Sequence, residues 1–190
     1  MLNKKEQNFL LELARKTLAH FFSSGKQLQI QPSEVPFPKL IEEGACFVTL
    51  YKNGNLRGCI GSLEAHRPLI FDIIDNTLNS AFNDSRFQSL RVDELETIKI
   101  SISVLTKPES FPVKDSKDLL KKLKPNKHGL IIKKGWARAT FLPVVWEQLT
   151  TKEEFLGHLC MKAGLTATAW HDTNGMEFLV YEAQEFEESD

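Results

Sequence analysis

Cysteine is scarce in this 190-residue chain. There are three, Cys46, Cys59 and Cys160, too few for the disulfide framework that staples small secreted domains. Tyrosine is scarcer still: two, against thirteen phenylalanines, a balance that assigns the rings to packing rather than to a display surface. The start, Met1-Leu2-Asn3-Lys4-Lys5-Glu6-Gln7-Asn8, is not followed by the roughly 7–15-residue apolar core of a signal peptide. No apolar run approaches the ~20 residues that span a bilayer. The expectation is a cytoplasmic protein with free thiols and no membrane partner. Net charge is nearly absent, 24 Lys and Arg against 25 Asp and Glu, which argues against a basic nucleic-acid coat. Phosphate-loop and GxGxxG patterns are missing. So are HExxH and paired CxxC spacings, and no metal site is predicted.

What is present reads as a folded protein. Hydrophobic residues make up 42% and charged residues 26%, fractions that fit neither disorder nor a membrane protein. The length suits one domain, or two small parts sharing a core. The charge balance hides a contrast. Residues 107–138 hold ten Lys and Arg against three Asp and Glu, whereas the end from Glu182 to Asp190 is acidic. Aromatic residues are sparse in the basic stretch, and stacking on bases needs them, so nucleic acid is not expected as a partner.

The apolar spacing predicts an amphipathic helix over 6–22, stopped by Ser23-Ser24-Gly25. A proline-containing loop over 26–43 follows. Residues 45–51 and 56–61 read as strands joined at Asn53-Gly54, a pair that favours a tight hairpin turn. An unbroken two-residue hairpin sets Leu50 opposite Arg57 and Val48 opposite Cys59. Arg57 and Cys59 then share one sheet face, with Leu56 and Ile60 on the other. A helix is predicted over 68–82 and a period-two strand over Ile98–Val104. A short helix over Lys117–Leu123 comes next, then a second hairpin, Leu130–Ile132 with Trp136–Leu142. Thr151-Lys152-Glu153-Glu154 opens a further helix with a capping-box pattern, and Met176–Tyr181 is a last strand. Hairpins with helices packed against them give an α+β fold with an antiparallel sheet.

The densest chemistry is Arg57-Gly58-Cys59-Ile60-Gly61. Arginine offers a planar anion-binding fork, its charge favours a nearby thiolate, and glycine leaves backbone accessible. The plainer reading is that Cys59 packs in the core and that Gly58 and Gly61 make room for a helix. His66 and His128 are candidate proton partners for Cys59, with His171 beside Asp172 a third. Asp84-Ser85-Arg86-Phe87, at a helix exit, is either a charge-fixed turn or a cleft wall.

Leu56-Arg57-Gly58-Cys59-Ile60-Gly61-Ser62-Leu63 is a highly specific motif. With it go Asp84-Ser85-Arg86-Phe87, Ile100–Leu105, His128-Gly129-Leu130-Ile131-Ile132, Leu142-Pro143, Trp146 and Lys162-Ala163-Gly164-Leu165. On these residues the chain resembles the AMMECR1 family, protein A of the AmmeMemoRadiSam system, from roughly Leu10 to Tyr181. The chain has Ser85 where the family usually has proline, and Val144 where it usually has glutamine. The resemblance implies one AMMECR1 domain over 1–190, with a larger and a smaller lobe. It also implies association with Memo-type and radical-S-adenosylmethionine proteins, while naming no reaction and no cofactor. The combined expectation is an enzyme or enzyme subunit acting on an anionic substrate. In it Cys59 is nucleophile or acid–base group with His128 or His66 as proton partner. Arg57, Gly58, Gly61, Asp84 and Arg86 bind and orient the substrate. The alternative is a non-catalytic binding or scaffold module.

Overall fold

A computed structural model of the chain describes residues 1–189. The chain divides into two compact units. One comprises Met1–Thr106 with the stretch from Gln184 onward, and the other is Lys107–Ala183.

The first unit is a four-stranded sheet with two long helices. Helix α1, Lys4–Ser24, begins at Asn3, whose side chain accepts from the backbone N–H of Lys5 and Glu6 while Glu6 reaches back to the Asn3 N–H. This reciprocal cap satisfies donors that the first turn otherwise strands. Gly25 ends it in the left-handed conformation. Leu10, Leu13, Ala14, Thr17 and Leu18 are its buried stripe.

Strands β1, Ala45–Lys52, and β2, Asn55–Gly61, form the expected hairpin, and Lys52 pairs with Asn55 across Asn53-Gly54. Both turn residues have positive φ, 51° and 77°, the geometry of the tight turn that Asn-Gly favours. The register then departs from the unbroken ladder. Tyr51 pairs with Leu56, but Leu50 pairs with Gly58, Thr49 with Cys59 and Val48 with Ile60. Arg57 is therefore the extra residue of a β-bulge, with no residue opposite it. The bulge moves Leu56 onto the face of Cys59 and turns Gly58 toward the core face of Leu50 and Val48. The expected pairings Leu50–Arg57 and Val48–Cys59 are corrected accordingly, because one inserted residue reverses the alternation. The sheet order is β2-β1-β3-β8, where β3 is Ile98–Leu105 and β8 is Ala183–Glu187. Strand β8 falls in the acidic terminal stretch and was not predicted.

Helix α2, Leu69–Phe82, buries Leu69, Ile70, Ile73, Ile74 and Ala81. Each large aliphatic contributes roughly 1.5–3 kcal/mol when fully buried. The same helix also buries Asp72, Asn76 and Ser80, a polar stripe at four-residue intervals.

The second unit holds another sheet, order β4-β7-β5-β6. Its strands are β4, Glu109–Ser110, β5, Gly129–Lys134, β6, Ala137–Phe141, and β7, Glu177–Tyr181. All its pairings are antiparallel. Helices α3, Ser116–Lys122, and α4, Lys152–Lys162, complete it. Its core contains Leu119, Leu130, Ile132, Phe155, Leu156 and Trp146. Trp146 stacks flat on Phe155 at 3.7 Å between ring centroids and donates its indole N–H to the His128 carbonyl. Among the described residues no helix is long and apolar enough to cross a membrane.

Candidate functional site

The site residues of the first unit are organised by helix α2 and the turn that follows it. Asp72, Asn76, Ser80 and Asp84 recur every four residues, and each bonds the hairpin. Asp72 Oδ2 accepts the Cys46 N–H at 2.9 Å, and Asn76 Nδ2 donates to the Cys46 carbonyl at 3.3 Å. Ser80 Oγ donates to the Val48 carbonyl at 2.6 Å and accepts the Ile60 N–H at 3.0 Å. Asp84 Oδ2 accepts the Cys59 N–H at 2.9 Å. The polar stripe thus fixes the hairpin backbone from Cys46 to Ile60.

Gly58 and Gly61 are where this close approach demands glycine. A Cβ on Gly58 would stand 2.1 Å from the Ser80 carbonyl oxygen, and one on Gly61 2.3 Å from the Phe47 ring. Contacts under about 3 Å do not occur without displacement. In this geometry both glycines make room, Gly58 for α2 and Gly61 for the cross-strand ring.

Cys59 is half-buried, whereas Cys46 and Cys160 are fully buried. Its Sγ accepts from Thr49 Oγ1 at 3.2 Å, its N–H is held by Asp84, and its carbonyl accepts from Arg86 Nη2 at 3.3 Å. Asp84 is itself buried and chelates Arg86, Oδ1 to Nε at 3.0 Å and Oδ2 to Nη2 at 2.7 Å. The Arg86 guanidinium beside it, aided by the Cys59 and Arg86 N–H groups and opposed by burial, holds the Asp84 carboxyl well below the usual range. The Arg86 side chain is 56% exposed and lies over the Phe87 ring. One buried carboxylate therefore fixes both the backbone of the half-buried Cys59 and an exposed guanidinium.

Arg57 points elsewhere. Its Nε and Nη2 fork closes on Glu94 at 3.1 and 2.9 Å, and its other N–H groups meet the Gln88 and Ser89 carbonyls at 2.9 and 3.3 Å. Lys52 Nζ adds a third bond to Glu94 at 2.8 Å. Arg57 first, and Lys52 after it, bring the Glu94 pKa down to about 2 against the opposing effect of burial. The fork expected to face an anion is occupied by an internal carboxylate. Glu94, part of a Glu94-Leu95 family match in the sequence, was not among the candidate site residues, because nothing in its spacing links it to Arg57.

The histidines do not join Cys59 in the first unit. His66 is exposed, its Nδ1 3.0 Å from the Glu64 carbonyl oxygen, and among the described residues of that unit no histidine hydrogen-bonds the thiol. His128 belongs to the second unit. There it is buried, meets Phe111 edge-on at 5.6 Å, and accepts the Lys124 N–H on Nδ1 at 3.3 Å. Burial holds its pKa below the ordinary value, with nearby Glu182 acting in the opposite sense. His171 is exposed and stacks on Trp170 at 3.8 Å. Among the described residues no group of three or more His, Cys, Asp or Glu could hold a metal ion.

Known proteins share this arrangement of chain. The AMMECR1 pattern matches residues 11–186. Protein MK0488 of Methanopyrus kandleri is 38% identical over 197 residues, covering 100% of this chain and 91% of that one. A protein of Methanosarcina mazei is 38% identical over 192 residues, covering 100% and 95%. The crystal structure of the uncharacterized protein PH0010 from Pyrococcus horikoshii superposes with a TM-score of 0.79 at 33% identity, covering 95% of this chain and 90% of that one. With sequence and fold in agreement over nearly the whole length, the chain belongs to the AMMECR1 family.

Proposed function

We propose that this AMMECR1 protein is an enzyme or enzyme subunit of the cytoplasm, acting with Memo-type and radical-S-adenosylmethionine partners on a substrate that carries an anionic group. In this reading Cys59 is the nucleophile or acid–base group, and the substrate's anion docks on Arg86. The observation that carries it is the buried carboxylate of Asp84, which holds the Cys59 backbone and the Arg86 guanidinium together. Pre-positioned groups of this kind are what catalysis and anion recognition require. Both arginines are held by a carboxylate, Arg57 by Glu94 and Arg86 by Asp84, but the Arg57 side chain is only 14% exposed whereas that of Arg86 is 56% exposed, so the anion-binding role passes from Arg57 to Arg86.

A second reading, a binding module for protein partners, is favoured by one observation. The Cys59 thiol contacts a threonine hydroxyl rather than a base, and thiol catalysis needs a base within reach. Complementation separates the two. A deletion strain is given the wild-type chain, Cys59→Ala or Arg86→Glu, and its metabolite profile is compared with the parent. An enzyme predicts that Cys59→Ala fails to restore the profile although the protein accumulates. Restoration by Cys59→Ala but not by Arg86→Glu favours the binding module. Restoration by both variants removes this corner from function.

A further inference from the structure

The aromatic residues of this chain are thoroughly covered, with one exception. Each phenylalanine and tyrosine among the described residues is buried or half-buried, Trp146 and Trp170 are 2% and 4% exposed, and Trp136 is 104% exposed. A lone exposed leucine needs no explanation; a wholly exposed indole in a chain that hides its other rings is a different observation. Its position adds to it. Trp136 follows Gly135, of φ 58°, at the turn between β5 and β6. Its neighbours Lys134 and Ala137 pair across the hairpin, and so do Lys133 and Arg138. The ring is thus carried on the end of a hydrogen-bonded ladder rather than on a loose loop.

The hairpin's own charge has one sign, although Lys133 meets Glu177 of the neighbouring strand β7 at 3.9 Å and Asp172 lies near Lys134. From Gly129 to Phe141 the hairpin carries Lys133, Lys134 and Arg138 and no acidic residue. The unit that bears it, Lys107–Ala183, holds twelve Lys and Arg against nine Asp and Glu, although the whole chain is at -1. An indole at the apex of a cationic hairpin matches the interface of an anionic bilayer. Tryptophan partitions to the headgroup level with its ring in the apolar zone and its N–H in the wet one. Lysine and arginine meet the lipid phosphates while their stems lie along apolar surface. A single-stranded nucleic acid fits less well, since stacking successive bases takes several rings on one groove and no second exposed aromatic ring is present among the described residues.

We propose that the Trp136 hairpin is a peripheral docking point for an anionic lipid surface. Such a contact needs no spanning helix. One ring and the cationic ends of Lys133 and Lys134, partly offset by Glu177 and Asp172, give weak, reversible and salt-sensitive binding, each cation contributing at most a factor of roughly five.

Sedimentation with vesicles tests it, using phosphatidylcholine alone and phosphatidylcholine with an equal amount of phosphatidylglycerol. Tryptophan emission is read in parallel. Trp146 and Trp170 are already buried, so a blue shift reports Trp136 entering lipid. The expected result is binding and a blue shift with the anionic vesicles only, weakened by salt. Trp136→Ala is expected to lose binding about tenfold, and the paired variant Lys133→Glu with Lys134→Glu to lose it further. Circular dichroism confirms that each variant is folded. Four results overturn the proposal: no binding to anionic vesicles, equal binding to neutral ones, full binding by Trp136→Ala, or an emission change produced as well by inorganic phosphate. A single-stranded oligonucleotide that binds through Trp136 while vesicles do not would move the site to nucleic acid.

Discussion

Replacing Gly58 by alanine probes the closest approach in the first unit. The added Cβ would lie 2.1 Å from the Ser80 carbonyl oxygen, which is backbone in the last turn of α2. Relief requires strand and helix to part by about 1 Å, since Cβ contacts below 3.0 Å do not persist. Two bonds span that gap, Ile60 N–H to Ser80 Oγ at 3.0 Å and Cys59 N–H to Asp84 Oδ2 at 2.9 Å. Lengthened by that much, both leave hydrogen-bonding range. Overpacking costs about 1–3 kcal/mol, and each lost bond to a covered partner about 1–3 kcal/mol more. Allowing for partial relaxation, the expected loss is about 3–6 kcal/mol, a large part of the ~5–15 kcal/mol that holds a typical protein together. At roughly 2–4 °C per kcal/mol for a chain of this size, the midpoint falls by about 6–24 °C. All three tryptophans lie in the Lys107–Ala183 unit, so their fluorescence reports that unit. Far-UV dichroism also captures α1 and α2. The melt is therefore followed by both signals, and the predicted shift appears in the dichroism. A loss below about 1 kcal/mol would refute the reasoning, because it would mean that strand and helix separate freely.

Further outcomes follow from the charged pairs. Glu94 has its pKa lowered to about 2 from an ordinary 4.5. Its contribution is therefore complete above pH 4.5 and is lost as pH falls toward 2, amounting to roughly 3 kcal/mol. Glu94→Gln should lower stability at pH 7 and flatten the acid limb of a urea-midpoint-against-pH curve; an unchanged limb would contradict the Arg57–Glu94 assignment. Asp84→Asn keeps the side chain's size but removes the charge that chelates Arg86 and weakens the acceptor for Cys59. A loss of about 2–4 kcal/mol is expected, again measured by urea denaturation, and a loss under 1 kcal/mol would place the hinge of this corner elsewhere.

Most of the architecture was legible in the residues because it rests on local rules. Asn53-Gly54 chose the first turn, the cap at Thr151 opened α4 as its pattern promised, and the alternation from Ile98 wrote β3. The register beyond the turn was not legible. A bulge at Arg57 depends on how α2 draws β2 toward it, and that pull comes from Ser80 and Asp84, more than twenty residues further on. The stripe Asp72-Asn76-Ser80-Asp84 was present in the sequence at period four, but polar residues on a helix are read first as its wet face. Here they are buried because they bond the hairpin's backbone. Strand β8 was hidden for a related reason: Phe186 is its one buried position, and the acids around it resemble a solvated tail. Glu188 explains part of that charge, since its carboxylate accepts from Arg15 on α1 and from the Ile100 N–H of β3. Of the candidate site, Cys59, Asp84 and Arg86 come together in the fold. Arg57 is turned to Glu94, His66 stands exposed, and His128 lies in the other unit.

The proposed role of this corner rests on Cys59 being a thiol that a substrate can reach while the other two are sealed. Alkylation of the native protein by iodoacetamide, read residue by residue by mass spectrometry, measures this directly. The account predicts that Cys59 is modified in the folded protein, and that Cys46 and Cys160 are modified only after unfolding. Protection of Cys59 equal to that of Cys46 would contradict it and leave the motif a packing element.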